Sequence, residues 1–419
     1  MTVLIKQARI ICNASPFHGT TKDILIENGI IKSISDKINS EATVVIDQPG
    51  ACISAGWVDI FSNFCDPGYE YKETLETGAR AAAAGGFTDV LLIPNTNPAV
   101  HNKSQVEYII RRSAEYPVNL LPIGAVTKNA EGKELAEMYD MRDAGAVAFS
   151  DGTNAIQSPG ILLKALQYVQ AVGATIIQLP EDKSIGTHGL VNEGITSTQL
   201  GLPGKPAIAE ELMIARDIEL LRYTGSKLHI TAVSTQKGIE LISNAKQEGL
   251  DLTCSVTPYH LLFCDEDLVL YDTNLKVNPP LRTRKDMEAL QQAVKNSSVD
   301  CIASHHLPQN WDSKYCEFEY AKYGMTGLQT MFSALMSIGM DAETFVSMQS
   351  IAARNIFGLQ QPEIKEAAKA CISIFDPAAV INFEERNIVS KSKNSAFIGK
   401  RLKGKVFGII NGNKQELFQ

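Results

Sequence analysis

Gly56-Trp57-Val58-Asp59-Ile60-Phe61-Ser62-Asn63-Phe64-Cys65-Asp66-Pro67-Gly68 begins as an apolar run and ends in a polar, proline-containing turn. The run predicts a strand over 53–60, and the turn predicts the loop leading into a helix over 71–85. A strand apolar along its whole length suits a parallel sheet covered on both faces.

Seven further apolar runs follow, at 89–94, 119–125, 146–150, 174–179, 227–233, 252–257 and 299–304. Helical patterns separate them, at 103–115, 133–144, 160–172, 206–224, 236–249 and 284–296, with a last group from 327 to 357. Eight strands alternating with helices predict a (β/α)8 barrel. A doubly wound open sheet is the competing arrangement, but no Gly-x-Gly-x-x-Gly follows the first strand, which weakens its dinucleotide-binding form.

The two ends of the chain differ from the middle. Residues 2–12, 22–27, 30–35 and 43–47 read as short strands with a turn at Asn28-Gly29, and 371–377 and 404–410 read the same way. The termini are therefore expected to form one small β domain (1–52 plus 369–419) beside a barrel domain over 53–368.

The 419 residues carry a net charge of -8, with 44% hydrophobic and 21% charged residues. This is an ordinary globular composition, without the basic patch that a nucleic acid or anionic membrane requires. The most basic run, Lys400 to Lys405, reads as a solvated turn and strand edge. No apolar run reaches transmembrane length and the N-terminus lacks a signal-peptide core, so a cytoplasmic protein is expected. The eight cysteines are scattered without a Cys-x-x-Cys pair, which fits a reducing compartment.

In a barrel of this type chemistry sits at the C-terminal ends of the strands. There stand Asp66-Pro67-Gly68, Pro94-Asn95-Thr96-Asn97-Pro98, Phe149-Ser150-Asp151-Gly152, Val233-Ser234-Thr235 and Thr257-Pro258-Tyr259-His260. Elsewhere along the chain lie Asn192-Glu193-Gly194, Asn278-Pro279-Pro280-Leu281-Arg282, Phe318-Glu319, Ser390-Lys391-Ser392-Lys393-Asn394 and Leu402-Lys403-Gly404-Lys405-Val406. In this order, along essentially the whole chain, the motifs resemble the dihydroorotases of the cyclic amidohydrolase group. Hydantoinase-type relatives are the nearest alternative, and the Pro-Asn-Thr-Asn-Pro loop favours dihydroorotase.

The resemblance implies reversible hydrolysis of a ring amide in pyrimidine synthesis. It also implies zinc held by a first-strand His-x-His, by histidines after strands five and six and by carboxylates, with a catalytic aspartate after strand eight. Residue by residue, this chain departs from that pattern. Phe61 and Asn63 stand at the His-x-His places, Cys65 at the substrate-carboxylate arginine, and Leu179 and Ala232 at the later histidines. His305 stands at the catalytic aspartate and Gln309 at a later loop histidine. Asp151 is the remaining carboxylate, while Asn95 and Asn278 match substrate-contact positions. Phenylalanine, leucine and alanine offer a metal no donor, and an amide is a poor zinc ligand.

No bound cofactor is therefore expected. The first functional reading is a noncatalytic homologue that acts as a structural or regulatory partner of aspartate transcarbamoylase, and is itself a homo-oligomer. A second is an active amidohydrolase rebuilt around Asp151, His305 and Cys65, with His305 as the catalytic group and Cys65 as the nucleophile. A third is a small-molecule barrel using Asn95 and Asn278. His305 and His306, adjacent on a strand end, are expected to diverge. His229 and His260 are expected to tie neighbouring segments together, and His18, His101 and His188 to lie in loops or on the surface.

Overall fold

A computed structural model describes residues 2–418. Its central feature is a parallel eight-stranded sheet: Trp57–Ser62, Phe87–Leu92, Asn119–Gly124, Ala148–Phe149, Ile176–Gln178, Leu228–Ile230, Leu252–Val256 and Cys301–Ile302. The ring closes where Ser62 bridges His306 in parallel and the Asn63 amide donates to the His306 carbonyl at 2.9 Å. Helices intervene as the periodicity predicts, among them Leu75–Ala84, Lys103–Ser113, Pro159–Val172, Ile208–Thr224, Gln236–Gln247 and Arg284–Lys295. The (β/α)8 expectation holds, and the open-sheet alternative does not.

The termini build a second sheet. From one edge its strands run Lys414–Leu417, Arg401–Asn411, Cys371–Asn382, Cys52–Ala55, Thr2–Ile10, Thr21–Glu27 and Ile30–Ser35, and Val44–Ile46 also pairs with Thr2–Ile10. Asn28 and Gly29 turn the Thr21–Glu27/Ile30–Ser35 hairpin with φ of 49° and 77°. Asn-Gly enters this left-handed region readily, which is why it marks two-residue hairpins.

One expected element divides in two. The strand read over 53–60 is a pair: Cys52–Ala55 lies antiparallel to Cys371–Asn382, whereas Trp57–Ser62 lies in the barrel. Gly56 is the whole connection. A Cβ there would sit 2.2 Å from Thr88 Oγ1 and 2.8 Å from Cys371 Sγ, so only glycine lets the two sheets approach this closely.

Trp57, fully buried, joins the two bodies. Its ring meets Phe345 at 4.7 Å, Phe375 of the terminal sheet at 5.0 Å and Phe332 at 5.1 Å, while its indole N–H donates to Ser54 Oγ at 2.8 Å. Trp57→Ala is expected to destabilise by about 3–5 kcal/mol. The measurement is a lowered urea midpoint with an unchanged slope. Among the described residues no helix is long and apolar enough to cross a membrane.

Candidate functional site

The first barrel strand delivers Phe61 to the barrel interior, and the end of the eighth delivers His305 opposite it. The two rings stack at 4.2 Å with 16° between their planes, and both side chains are buried. His305 adopts φ 43°, a conformation uncommon outside glycine. Its Nε2 shares a hydrogen bond of 2.8 Å with Thr231 Oγ1 at the end of the sixth strand.

From Thr231 a polar chain continues inward. Thr231 Oγ1 lies 3.0 Å from Ser255 Oγ, Ser255 Oγ lies 3.0 Å from His229 Nε2, and His229 Nδ1 lies 2.9 Å from Thr253 Oγ1. Burial pushes the imidazoles of His229 and His305 down to about 3, so both are neutral near pH 7. His260 behaves alike: its Nδ1 meets Thr257 Oγ1 at 2.9 Å, its Nε2 donates to the Pro279 carbonyl at 3.1 Å, and burial holds it at about 3. These histidines bond neighbouring strands and loops.

His306 turns away from His305, as adjacent strand residues do. Its Nδ1 accepts from the Gly327 amide at 3.2 Å and its Nε2 lies 3.5 Å from the buried Glu73 carboxylate. At that separation the contact is electrostatic rather than a short hydrogen bond. Glu73 itself is occupied by Thr77, Ser390 and the Lys391 amide. His188 is exposed, and His18 and His101 are half-buried loop residues.

The remaining candidates do not converge. Asp151 accepts from the Thr127 amide at 2.9 Å and from the Thr127 hydroxyl, and burial raises its carboxyl to about 6. Cys65 is buried and its thiol is pushed up to about 12, which leaves it inert as a nucleophile near neutral pH. Asn63 spends its amide on the Asn95 carbonyl (3.3 Å) and the Cys65 N–H (2.8 Å). Leu179 and Ala232 are buried and apolar.

Asn95 and Asn278 are likewise engaged inside the fold. Asn95 donates to the Asp151 carbonyl at 3.1 Å and accepts from the Thr153 amide at 3.0 Å. Asn278 accepts from Lys205 Nζ at 2.8 Å and donates to Glu181 at 3.0 Å, and Lys205 and Glu181 form an ion pair. Lys205 and Glu181 went unread in the sequence as partners, because their meeting depends on loops that follow different strands. Next to them Arg282 and Glu210 pair at 3.5 Å while almost wholly buried. Arg282 also donates to Asn192 (3.1 Å), Ser234 (3.0 Å) and the Lys205 carbonyl (3.1 Å).

The donor set does not fit a zinc centre. The side chains at positions 61, 179 and 232 carry no ligand atom, His305 Nε2 is bonded to Thr231, and both Asp151 oxygens are bonded to Thr127. Among the described residues no group of three His, Cys, Asp or Glu side chains could hold a metal ion.

The barrel with its terminal β domain and strand-end loops defines an amidohydrolase-type architecture. It superposes on L-hydantoinase from Arthrobacter aurescens with a TM-score of 0.84, covering 100% of this chain and 97% of that one at 22% identity. A family model described as "Dihydro-orotase-like" matches residues 50–238. A dihydroorotase of Caldanaerobacter subterraneus subsp. tengcongensis is 40% identical over 420 residues, covering 98% of this chain and 96% of its own length. One from Citrifermentans bemidjiense is 37% identical, with 98% and 99% covered. The chain belongs to the dihydroorotase family of the cyclic amidohydrolases.

Proposed function

We propose that this chain is a noncatalytic member of its family, a cytoplasmic barrel kept as a scaffold that assembles with itself and serves aspartate transcarbamoylase as a structural or regulatory partner. The observation that carries the proposal is the Phe61–His305 stack. It puts a hydrocarbon ring at a family ligand position and a neutral, hydrogen-bonded imidazole at the family's carboxylate position. A carboxylate that shuttles a proton needs a pKa matched to that task, and an imidazole held near 3 remains a neutral ring at working pH.

The rebuilt-site reading finds no geometric support, since Asp151 and His305 are bound to other partners and Cys65 is buried with its thiol pushed up to about 12. The retained loops support scaffolding: buried pairs such as Arg282–Glu210 and Lys205–Glu181 keep the top face of the barrel ordered.

The test is turnover of dihydroorotate by purified protein, with and without added zinc. No turnover above the uncatalysed rate is expected, and an enzyme-like rate in either sample would end the proposal. Sedimentation of the chain alone and mixed with aspartate transcarbamoylase from the same organism tests the assembly. A comigrating complex is expected, and separate boundaries at micromolar concentrations would reject the partnership.

A further inference from the structure

A concavity begins at Gln309, beyond the end of the eighth strand, and reaches the Lys391–Asn394 segment. It has a volume of about 570 Å³ and is lined by, among others, Tyr71, Trp311, Lys314, Tyr315, Lys391 and Lys393. That size is in the range of small-molecule sites.

Its walls have two characters. Trp311 and Tyr315 stack at 4.3 Å with 19° between planes, although they are 68% and 74% exposed. A preformed aromatic pair held open to solvent is a platform for another flat ring. The same cavity is lined by three lysines, Lys314, Lys391 and Lys393, and by one carboxylate, Glu385.

Each lysine is seated on backbone carbonyls. Lys314 donates to Thr273 (2.8 Å) and Lys322 (2.7 Å), Lys391 to Glu70 (2.6 Å), and Lys393 to Ser390 (2.9 Å) and Ile388. None of the three is in an ion pair among the described residues. Lys314 is 8% exposed. Burial first, and then the neighbouring Lys276, push its amine down to about 7, with Asp272 and Cys316 acting against them. Buried cations are normally paired. Here the buried Lys314 has no carboxylate partner, and the exposed Lys391 and Lys393 line the same cavity.

We propose that this cavity binds a phosphorylated ligand with a planar ring, of the nucleoside monophosphate kind, the ring on Trp311 and Tyr315 and the phosphate among Lys314, Lys391 and Lys393. Lysine serves phosphate as a compact point charge. The inference goes beyond the scaffolding role and holds whether or not the barrel has any chemistry.

The chain has two tryptophans, and Trp57 is fully buried, so a quench from solvent reports on Trp311. The full-length protein would be titrated with UMP, uridine and inorganic phosphate while emission and calorimetric heat are followed. A saturable quench by UMP is expected, weaker with uridine or phosphate, and weaker for UMP as salt rises. Lys391→Gln/Lys393→Gln is expected to weaken UMP binding by about tenfold or more. Because both residues are exposed, the double variant should keep its thermal midpoint. Trp311→Phe should lose the quench while calorimetry still detects binding. Absence of saturable heat with millimolar UMP overturns the proposal, and so does UMP binding that is unchanged in the lysine variant. Phosphate binding as tightly as UMP overturns the role given to the ring.

Discussion

His305→Gln is expected to change how stability depends on pH, by about 3 kcal/mol between pH 7 and pH 4. His229, His260 and His305 are fully buried, and burial lowers each from 6.5 to about 3. In the unfolded chain each takes up a proton near 6.5, while in the fold it stays neutral until about 3. The stability that each contributes is complete above 6.5 and drains away as the pH falls toward 3.

Two carboxyls work in the other direction. Asp151 and Asp217 are raised from 3.8 to about 6 by burial. Their penalty is full above 6 and is relieved as the pH falls toward 3.8. Buried Asp59 is raised as well and acts in the same sense. The wild-type curve therefore mixes opposing slopes, and the difference between wild type and His305→Gln isolates one imidazole. Urea midpoints at several pH values give that difference. It should close as the pH drops, the variant gaining relative to the wild type. A difference independent of pH would show that this imidazole is not buried in its neutral form.

Arg282→Met is expected to cost about 3–5 kcal/mol, because it leaves the Glu210 carboxylate buried without its cation. Glu210 is 1% exposed and Arg282 3%, so water cannot replace the lost partner. Glu210 also accepts from the amides of Ser234 and Thr235, 2.9 and 3.0 Å away. The sixth-strand loop should therefore loosen together with Asn192 and Lys205. Glu210→Leu combined with Arg282→Met is expected to recover part of the loss, since a buried pair removed as a unit leaves no orphan charge. Thermal and urea unfolding of the two variants decide this. A double variant no better than Arg282→Met would place the cost in the hydrogen bonds to Asn192 and Ser234.

The alternation of apolar strands with helices was legible because strands buried on both faces leave apolar runs, and helices between them leave a longer period. The runs at 119–125 and 252–257 became Asn119–Gly124 and Leu252–Val256. The change of sheet at Gly56 was not legible, because a glycine within an apolar run does not announce two partners. The absence of ligand atoms at 61, 179 and 232 was plain from residue type alone. What occupies their place was not: the Phe61–His305 stack depends on the closing register between the first and eighth strands. The lysine-lined cavity was hidden for a similar reason, since Tyr71, Lys314 and Lys391 come from three distant segments.

The single-residue passage through Gly56 also has a mechanical meaning. Ala55 is registered against Ile372 in one sheet and Trp57 against Phe87 in the other, while Arg354 donates to the Gly56 carbonyl at 3.0 Å. The joint leaves no free residue between the two registers. The placing of Cys52–Ala55 in the terminal sheet therefore fixes where Trp57–Ser62 enters the barrel wall.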